Sequence, residues 1–351
     1  MGVWLRRLAG TTAATIVAST ALVLSTPAQA CACGAFLLPE DADVEVSDET
    51  AVISWDGEEE RILLSLDVEA PGDDAALLIP TPSPATVDVA EPGMFEEVAE
   101  FTAPRVREVD LWWPEWLVRE DLDNEGIVRE EGPAPAPAPL EGIDAHVIDA
   151  ADAGKLETWL EKNDYVIRDD VASALVPYAQ QDWHFLLVKL EADALSGRMQ
   201  PLDIRFETNQ LVYPTRLSIA GGPVRIRTYV FAEHRMERSD SMGGQLTWAG
   251  PVAQTDFAAQ TLVDLAGEHA FLSAWEQFFS DPRNQIDGDM VFAASSTDTP
   301  YEQVYTEVVR HEIFGAPAGP TLVFGALIIV GFGGGIYSRV RRNRRHRADQ
   351  G

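Results

Sequence analysis

The chain has 351 residues, with 57 acidic against 26 Lys and Arg side chains, and 46% of it is apolar. That composition excludes a disordered or collagen-like chain and is enough for one large or two modest cores. Between positions 31 and 320 there are 56 acids and 18 bases, a net of −38, and a body so acidic repels phosphate backbones, which excludes nucleic-acid binding.

Residues 1–30 have the layout of a secretory signal: Arg6 and Arg7, an apolar stretch to Leu24, the helix-breaking Pro27, then Ala28-Gln29-Ala30. Small side chains at Ala28 and Ala30 place cleavage after Ala30, and the competing reading is an uncleaved anchor. The only cysteines, Cys31 and Cys33, would then open the mature chain. In an oxidising compartment their one intramolecular pairing closes a tight, easily reduced Cys-Ala-Cys ring. Lipidation of Cys31 and a redox role compete with that disulfide, but the lipid-box leucine and the CxxC spacing are both missing.

From Thr50 the pattern is β-like. Ala51–Trp55 and Arg61–Val68 flank an Asp56-Gly57 turn and Ala75–Ile79 is a third apolar run, so a small antiparallel meander is expected. Pro80, Pro82 and Pro84 should stop the sheet, because proline donates nothing to its ladder. A short helix follows Glu91-Pro92-Gly93 with Phe95, Val98 and Phe101 on one face. Residues 105–142 read as a loop excursion carrying Trp112, Trp113 and Trp116, then alternating prolines from Pro133 to Pro139 that favour a stiff spacer.

His146–Ile148 predicts a strand, and Leu156, Trp159 and Leu160 share a helix face ending near Asn163. Asp169 and Asp170 are expected to cap a second helix through Tyr178. His184–Leu190, Leu202–Phe206, Leu211–Ile219 and Val224–Glu233 predict strands, the last with strict alternation. Thr255–Ser280 predicts the longest helix of the body, with Leu272, Trp275 and Phe279 on one stripe. Tyr301–Ile313 predicts either a further helix or a strand and turn.

Residues 316–338 are free of charge and long enough to cross a bilayer as a helix, and Arg339, Arg341, Arg342, Arg344, Arg345 and Arg347 follow at once. Arginines in that position are retained on the cytoplasmic side, which puts residues 31–315 outside and the tail 339–351 inside. Gly331 and Gly335 form a GxxxG pair through which two such helices could approach as a homodimer.

Several pieces recur in a fixed order: Cys33-Gly34-Ala35-Phe36, Arg61 to Asp67, Leu78-Ile79-Pro80-Thr81-Pro82-Ser83, Thr102-Ala103-Pro104, Trp183 to Leu190, Tyr213-Pro214 and Tyr229 to Arg235. Over roughly residues 31–235 these resemble the bacterial domain-of-unknown-function 2330 family, whose members look exported and often carry a C-terminal membrane helix. The family's usual Cys-Gly-Gly-Phe start is Cys-Gly-Ala-Phe here. The resemblance implies no reaction, ligand or catalytic residue.

Motif searches give little chemistry. His146, His184, His234, His269 and His311 are far apart in sequence and form no zinc pattern, and no GxSxG, Walker or GxGxxG signature follows a strand. No cofactor or metal site is therefore expected, although the acid clusters Glu40–Asp48, Asp56–Glu60 and Asp287-Gly288-Asp289 have oxygen ligands of the kind calcium takes. The expectation is an antiparallel-rich α+β extracytoplasmic body on one membrane helix, acting as a binding or interaction module at the cell envelope. Trp112, Trp113 and Trp116 are its candidate partner or glycan surface, against core packing or seating along the bilayer. An envelope hydrolase with paired carboxylates and a purely structural envelope protein are the alternatives.

Overall fold

A computed structural model of the chain describes residues 34–39, 44–69, 74–117, 143–191, 196–267 and 270–348. The signal-like segment, Cys31, Cys33, His269 and the proline-alternating stretch lie outside the described residues.

The fold is α+β, with six helices among the described residues and mostly antiparallel sheets. Its spine is a large sheet in the order Tyr301–Glu302, Gln245–Val252, Ala270–Phe279, Val224–Ala232, Glu45–Trp55, Glu59–Glu69, Leu202–Glu207, Thr86–Val89. All neighbours are antiparallel except Val224–Ala232 beside Glu45–Trp55, which run parallel. A second sheet, wholly antiparallel, orders Ala35–Leu37, Asp74–Thr81, His184–Glu191 and Ile143–Asp149.

Side chains alternate across a strand, so a sheet buried on both faces needs apolar residues at every position. Ile62-Leu63-Leu64 shows this: Ile62 and Leu64 join the core shared with Leu77 and Val188 of the second sheet, while Leu63 joins Val98 and Leu262 from helices Met94–Phe101 and Gln260–Ala266. Helices Ala153–Lys162 and Asp169–Gln180 cover the outer face of the second sheet through Trp159 and Tyr178, giving a helix, sheet, sheet, helix layering. Gly34 lies so close to the second sheet that a Cβ there would meet the Leu78 carbonyl oxygen at 2.4 Å, so this position of the Cys-Gly-Ala-Phe stretch has room only for glycine.

The structure corrects several expectations. The third apolar run does not continue the first two as a meander: it pairs with His184–Glu191 in the second sheet, with Pro80 opposite Phe185 and the strand ending at Thr81. The predicted long helix from Thr255 is only Gln260–Ala266, ended by Gly267 at φ +53°, and Ala270–Phe279 is an interior strand. Leu272 faces one core and Trp275 and Phe279 the other, so their three-and-four spacing is a coincidence that the slot between two strands overrides. The strand expected over Leu211–Ile219 shrinks to Val212–Tyr213 before Pro214, and Arg216–Ala220 is a 3-10 turn. Asp169 and Asp170 occupy the first turn of their helix and not its cap, which is Arg168, whose side chain makes no capping bond. Asp170 still accepts one of the helix's first N–H groups, that of Val171 at 3.0 Å on Oδ1, while its Oδ2 binds the guanidinium groups of Arg168 and Arg283. The start of the expected loop excursion, Arg105–Leu111, is a strand in parallel pairing with Val304–Arg310.

That parallel pair delivers two sequence-distant segments to one end of the molecule. Beyond it, Glu312–Ile313 and Ala316–Pro317 form a two-residue hairpin whose corner residues, Phe314 and Gly315, have φ of 55° and 76°. Such a turn favours Asn-Gly, and a phenylalanine in the left-handed region costs about 1–3 kcal/mol. The final helix, Ala318–Ala348, contains a stretch from Ala318 to Arg341 that is apolar and long enough to cross a membrane and has almost no contact with the rest of the protein.

Two glutamates on the inner face of the large sheet are fully buried and grip consecutive residues. Glu49 accepts the Tyr213 hydroxyl, and Glu60 Oε2 accepts the Val212 N–H at 3.0 Å while its Oε1 makes no hydrogen bond. Burial pushes the Glu60 carboxyl well above its ordinary 4.5, against the smaller opposing pull of the Val212 N–H. The unfolded chain releases this proton first, so Glu60 lowers stability as pH rises above its ordinary value. Glu60→Gln keeps the acceptor and removes the titration. It should stabilise the protein by about 1–3 kcal/mol near pH 8 and change little near pH 4 in denaturant unfolding.

Candidate functional site

Val212 and Tyr213, so fixed, lead through Thr215 into Arg216, which with Asp240, Ser241, Asp287 and Asp289 lines a cleft of about 460 Å³. Gln181, Trp183, Asn209 and Gln210 also line it. Each element delivers its residue for a local reason. Helix Asp169–Gln180 ends in a turn with Asp182 at φ 56°, and the N–H groups of Gln181 and Trp183 both bond the Tyr178 carbonyl, which brings the Trp183 ring to 4.9 Å from that of Tyr178. Thr215 is buried and its Oγ1 accepts the Met290 N–H at 2.8 Å, pinning the segment before Arg216 to the one after Asp289.

Asp289 is the centre of the constellation. Its Oδ1 accepts the Tyr178 hydroxyl at 2.5 Å and the Arg216 backbone N–H at 3.0 Å, while Arg216 Nε stands 3.8 Å from Oδ2 and makes no hydrogen bond. The Arg216 guanidinium carbon lies 6.0 Å from the centre of the Tyr178 ring. Burial raises the Asp289 carboxyl above its ordinary range, and the Tyr178, Arg216 and Thr215 contacts pull it back only in part. Burial and then the Asp289 charge push the Tyr178 phenol well above its ordinary value, so it serves as a donor.

Asp240 is the opposite case. Burial alone would raise it, but Arg238 clamps it at 2.6 and 2.7 Å and the N–H groups of Met242 and Val291 add bonds at 3.0 and 3.1 Å, so its carboxyl lies below the ordinary range. Asp287 accepts the Ser241 hydroxyl at 2.6 Å. The cleft thus holds one carboxylate held ionised beside one biased toward the neutral form. A larger cavity of about 630 Å³ lies near Trp55, but its Arg61 and Arg205 are both clamped on Asp203 and neither is poised for a ligand.

The residues singled out from sequence fall elsewhere. Trp112, Trp113 and Trp116 stand at the foot of the apolar helix, partly to largely exposed, and Trp112 stacks on His311 at 4.3 Å. His146 and His184 sit on different strands and His234 and His311 in separate connections between strands, and among the described residues no three His, Cys, Asp or Glu side chains converge as a metal site. Gly331, Gly335, Arg339 and Arg341 are exposed along the apolar helix, which continues through the positions of Arg342, Arg344, Arg345 and Arg347. Among the described residues of the acid clusters, only Asp287-Gly288-Asp289 reaches the cleft. Its partners Tyr178 and Arg216 lie 111 and 73 residues away in sequence, so no local pattern announces the site.

Tyr178→Phe removes the hydroxyl that lowers the Asp289 carboxyl, so that carboxyl should rise further. The loss in stability should be about 1.5–3 kcal/mol near neutral pH and smaller near pH 3, where Asp289 carries a proton, as read from unfolding of the detergent-solubilised chain.

Among solved structures the chain is similar to baculovirus P35, at 7% identity, with 74% of this chain and 95% of that one covered and a TM-score of 0.35. A mutated baculovirus P35 after caspase cleavage matches at 8% identity over 73% of this chain and 98% of its own, with a TM-score of 0.30. P35 in its complex with caspase-8 matches at 7% identity over 73% and 94%, with a TM-score of 0.28. At such scores the likeness carries no argument. No curated protein matches the chain. The model of the DUF2330 family, described as an uncharacterised protein conserved in bacteria, matches residues 27–293, and the chain belongs to that family.

Proposed function

We propose that this is a single-pass protein of the bacterial cell envelope whose α+β body lies outside the membrane and binds a neutral, polyhydroxylated ligand, an envelope glycan, in the Asp289 cleft. The observation that carries this reading is the lining: three aspartates, Gln181, Asn209, Gln210, Ser241 and Arg216 around one Trp183 ring. Donors and acceptors in that density suit hydroxyl groups, and a flat indole suits the apolar face of a sugar ring. The net charge of −31 disfavours anionic ligands at the same place.

A hydrolase is the second reading. It is favoured by the opposite displacements of the Asp289 and Asp240 carboxyls on one cleft, the arrangement in which one acid donates and the other stays ionised.

One experiment separates the two. The full chain, in detergent, is mixed with neutral oligosaccharides of hexose and N-acetylhexosamine units, with binding followed by calorimetry and cleavage by mass spectrometry. Binding without cleavage, weakened at least about tenfold by Asn209→Ala with Gln210→Ala, supports the module. Cleavage that disappears in Asp289→Asn supports the hydrolase, and neither binding nor cleavage refutes both.

A further inference from the structure

We propose that Trp112, Trp113, Trp116 and Phe314 form a collar that seats the body on the lipid headgroup region around the point where the apolar helix leaves it. The inference rests on that helix lying in a bilayer. The parallel ladder ends with Arg310 opposite Leu111, and three further bonds fasten the tryptophan segment to the helix root: His311 N–H to the Leu111 carbonyl at 3.0 Å, Ala318 N–H to the His311 carbonyl at 2.8 Å, and Gly319 N–H to the Trp112 carbonyl at 2.7 Å. A Cβ on Gly319 would fall 3.0 Å from the Trp113 ring, so the indole lies directly on the first turn of the helix.

The exposure runs opposite to what a water-facing loop would select. Trp112 and Trp113, which touch the first turn of the helix, are 44% exposed, Trp116 is 81% and Phe314 103% exposed, and Leu117 beside Trp116 is 52% exposed. Phe314 stands at its hairpin corner in a left-handed conformation, where Asn or Gly would be unstrained, so a bulky ring is held outward against local preference. Indoles settle at the membrane interface, where one edge is apolar and the other wet.

The far end of the helix agrees in distance. From Gly319, at the tryptophan level, to Tyr337 is about 27 Å at 1.5 Å per residue, close to the roughly 30 Å of hydrocarbon in a bilayer. Tyr337 is exposed and Arg339 and Arg341 follow it, so aromatic residues mark both boundaries of the span. A soluble partner would have to occupy the space beneath the body that the headgroups already fill.

The test uses the full chain reconstituted in phosphatidylcholine vesicles brominated either near the headgroup end of the acyl chains or deep within them. Emission assigned to Trp116 is the difference between the chain and its Trp116→Phe variant, which keeps the collar apolar. Shallow bromine should remove about half or more of that emission and deep bromine much less. Retention of the chain through alkaline extraction is measured on the same vesicles. Retention with Trp116 unquenched overturns the collar and leaves the span standing. Release by alkali removes the span and the collar with it. As a second variant, Phe314→Asn relieves the turn, so it should fold at least as well as the parent while shifting Trp116 emission toward that of water-exposed indole. An unchanged spectrum would count against Phe314 as a member of the collar.

Discussion

An apolar helix with no protein around it has to find another solvent. From Ala318 to Arg341 almost nothing of the chain packs against the helix, and Phe324, Leu327, Ile328, Ile329, Val330 and Phe332 all point outward. In water each of these side chains would leave about 1.5–3 kcal/mol of burial unrealised, whereas in hydrocarbon the helix also satisfies its own backbone groups. Under the proposed membrane seating, this requirement accounts both for the arginines at its far end and for the aromatic residues at its root.

The rest of the molecule is built around a different restriction, the need to place polar groups inside a core with apolar walls on both sides. The large sheet does this with Glu49 and Glu60, each of which sets one oxygen on Tyr213 or Val212 and so fixes where the segment carrying Thr215 and Arg216 emerges. Asp289 repeats the device at the edge of the core, where one side of the constellation remains open to the cleft. Buried polar contacts of this kind add little net stability compared with apolar packing, but they allow few alternative registers.

What could be read beforehand followed the local information in each segment. Val224–Ala232 and Glu59–Glu69 were legible because their side chains alternate or fill both faces of a strand, and the helix at Met94–Phe101 because its apolar residues recur at threes. Ala270–Phe279 reads as a helix in the sequence because Leu272, Trp275 and Phe279 also satisfy a helical stripe, and only the neighbouring strands decide between the two periods. Arg105–Leu111 was hidden by its charges, since a strand at the edge of the body needs little apolar surface. The acids at Asp287 and Asp289 were visible as a cluster, whereas their meaning depends on Tyr178, Arg216 and Asp240, which only the fold brings near. The tryptophans stand out in the sequence by their number alone, and their place beside Gly319 depends on the parallel pairing of Arg105–Leu111 with the distant Val304–Arg310.

In the proposed topology the acidic body lies outside the bilayer and the arginine-rich end inside. Protease treatment of intact cells, followed by mass spectrometry of released and retained peptides, tests it most directly. The account predicts that peptides from the body are released from intact cells, while the segment beyond Arg339 is cut only after the membrane is permeabilised. A body that survives in intact cells and is digested only after permeabilisation would contradict it.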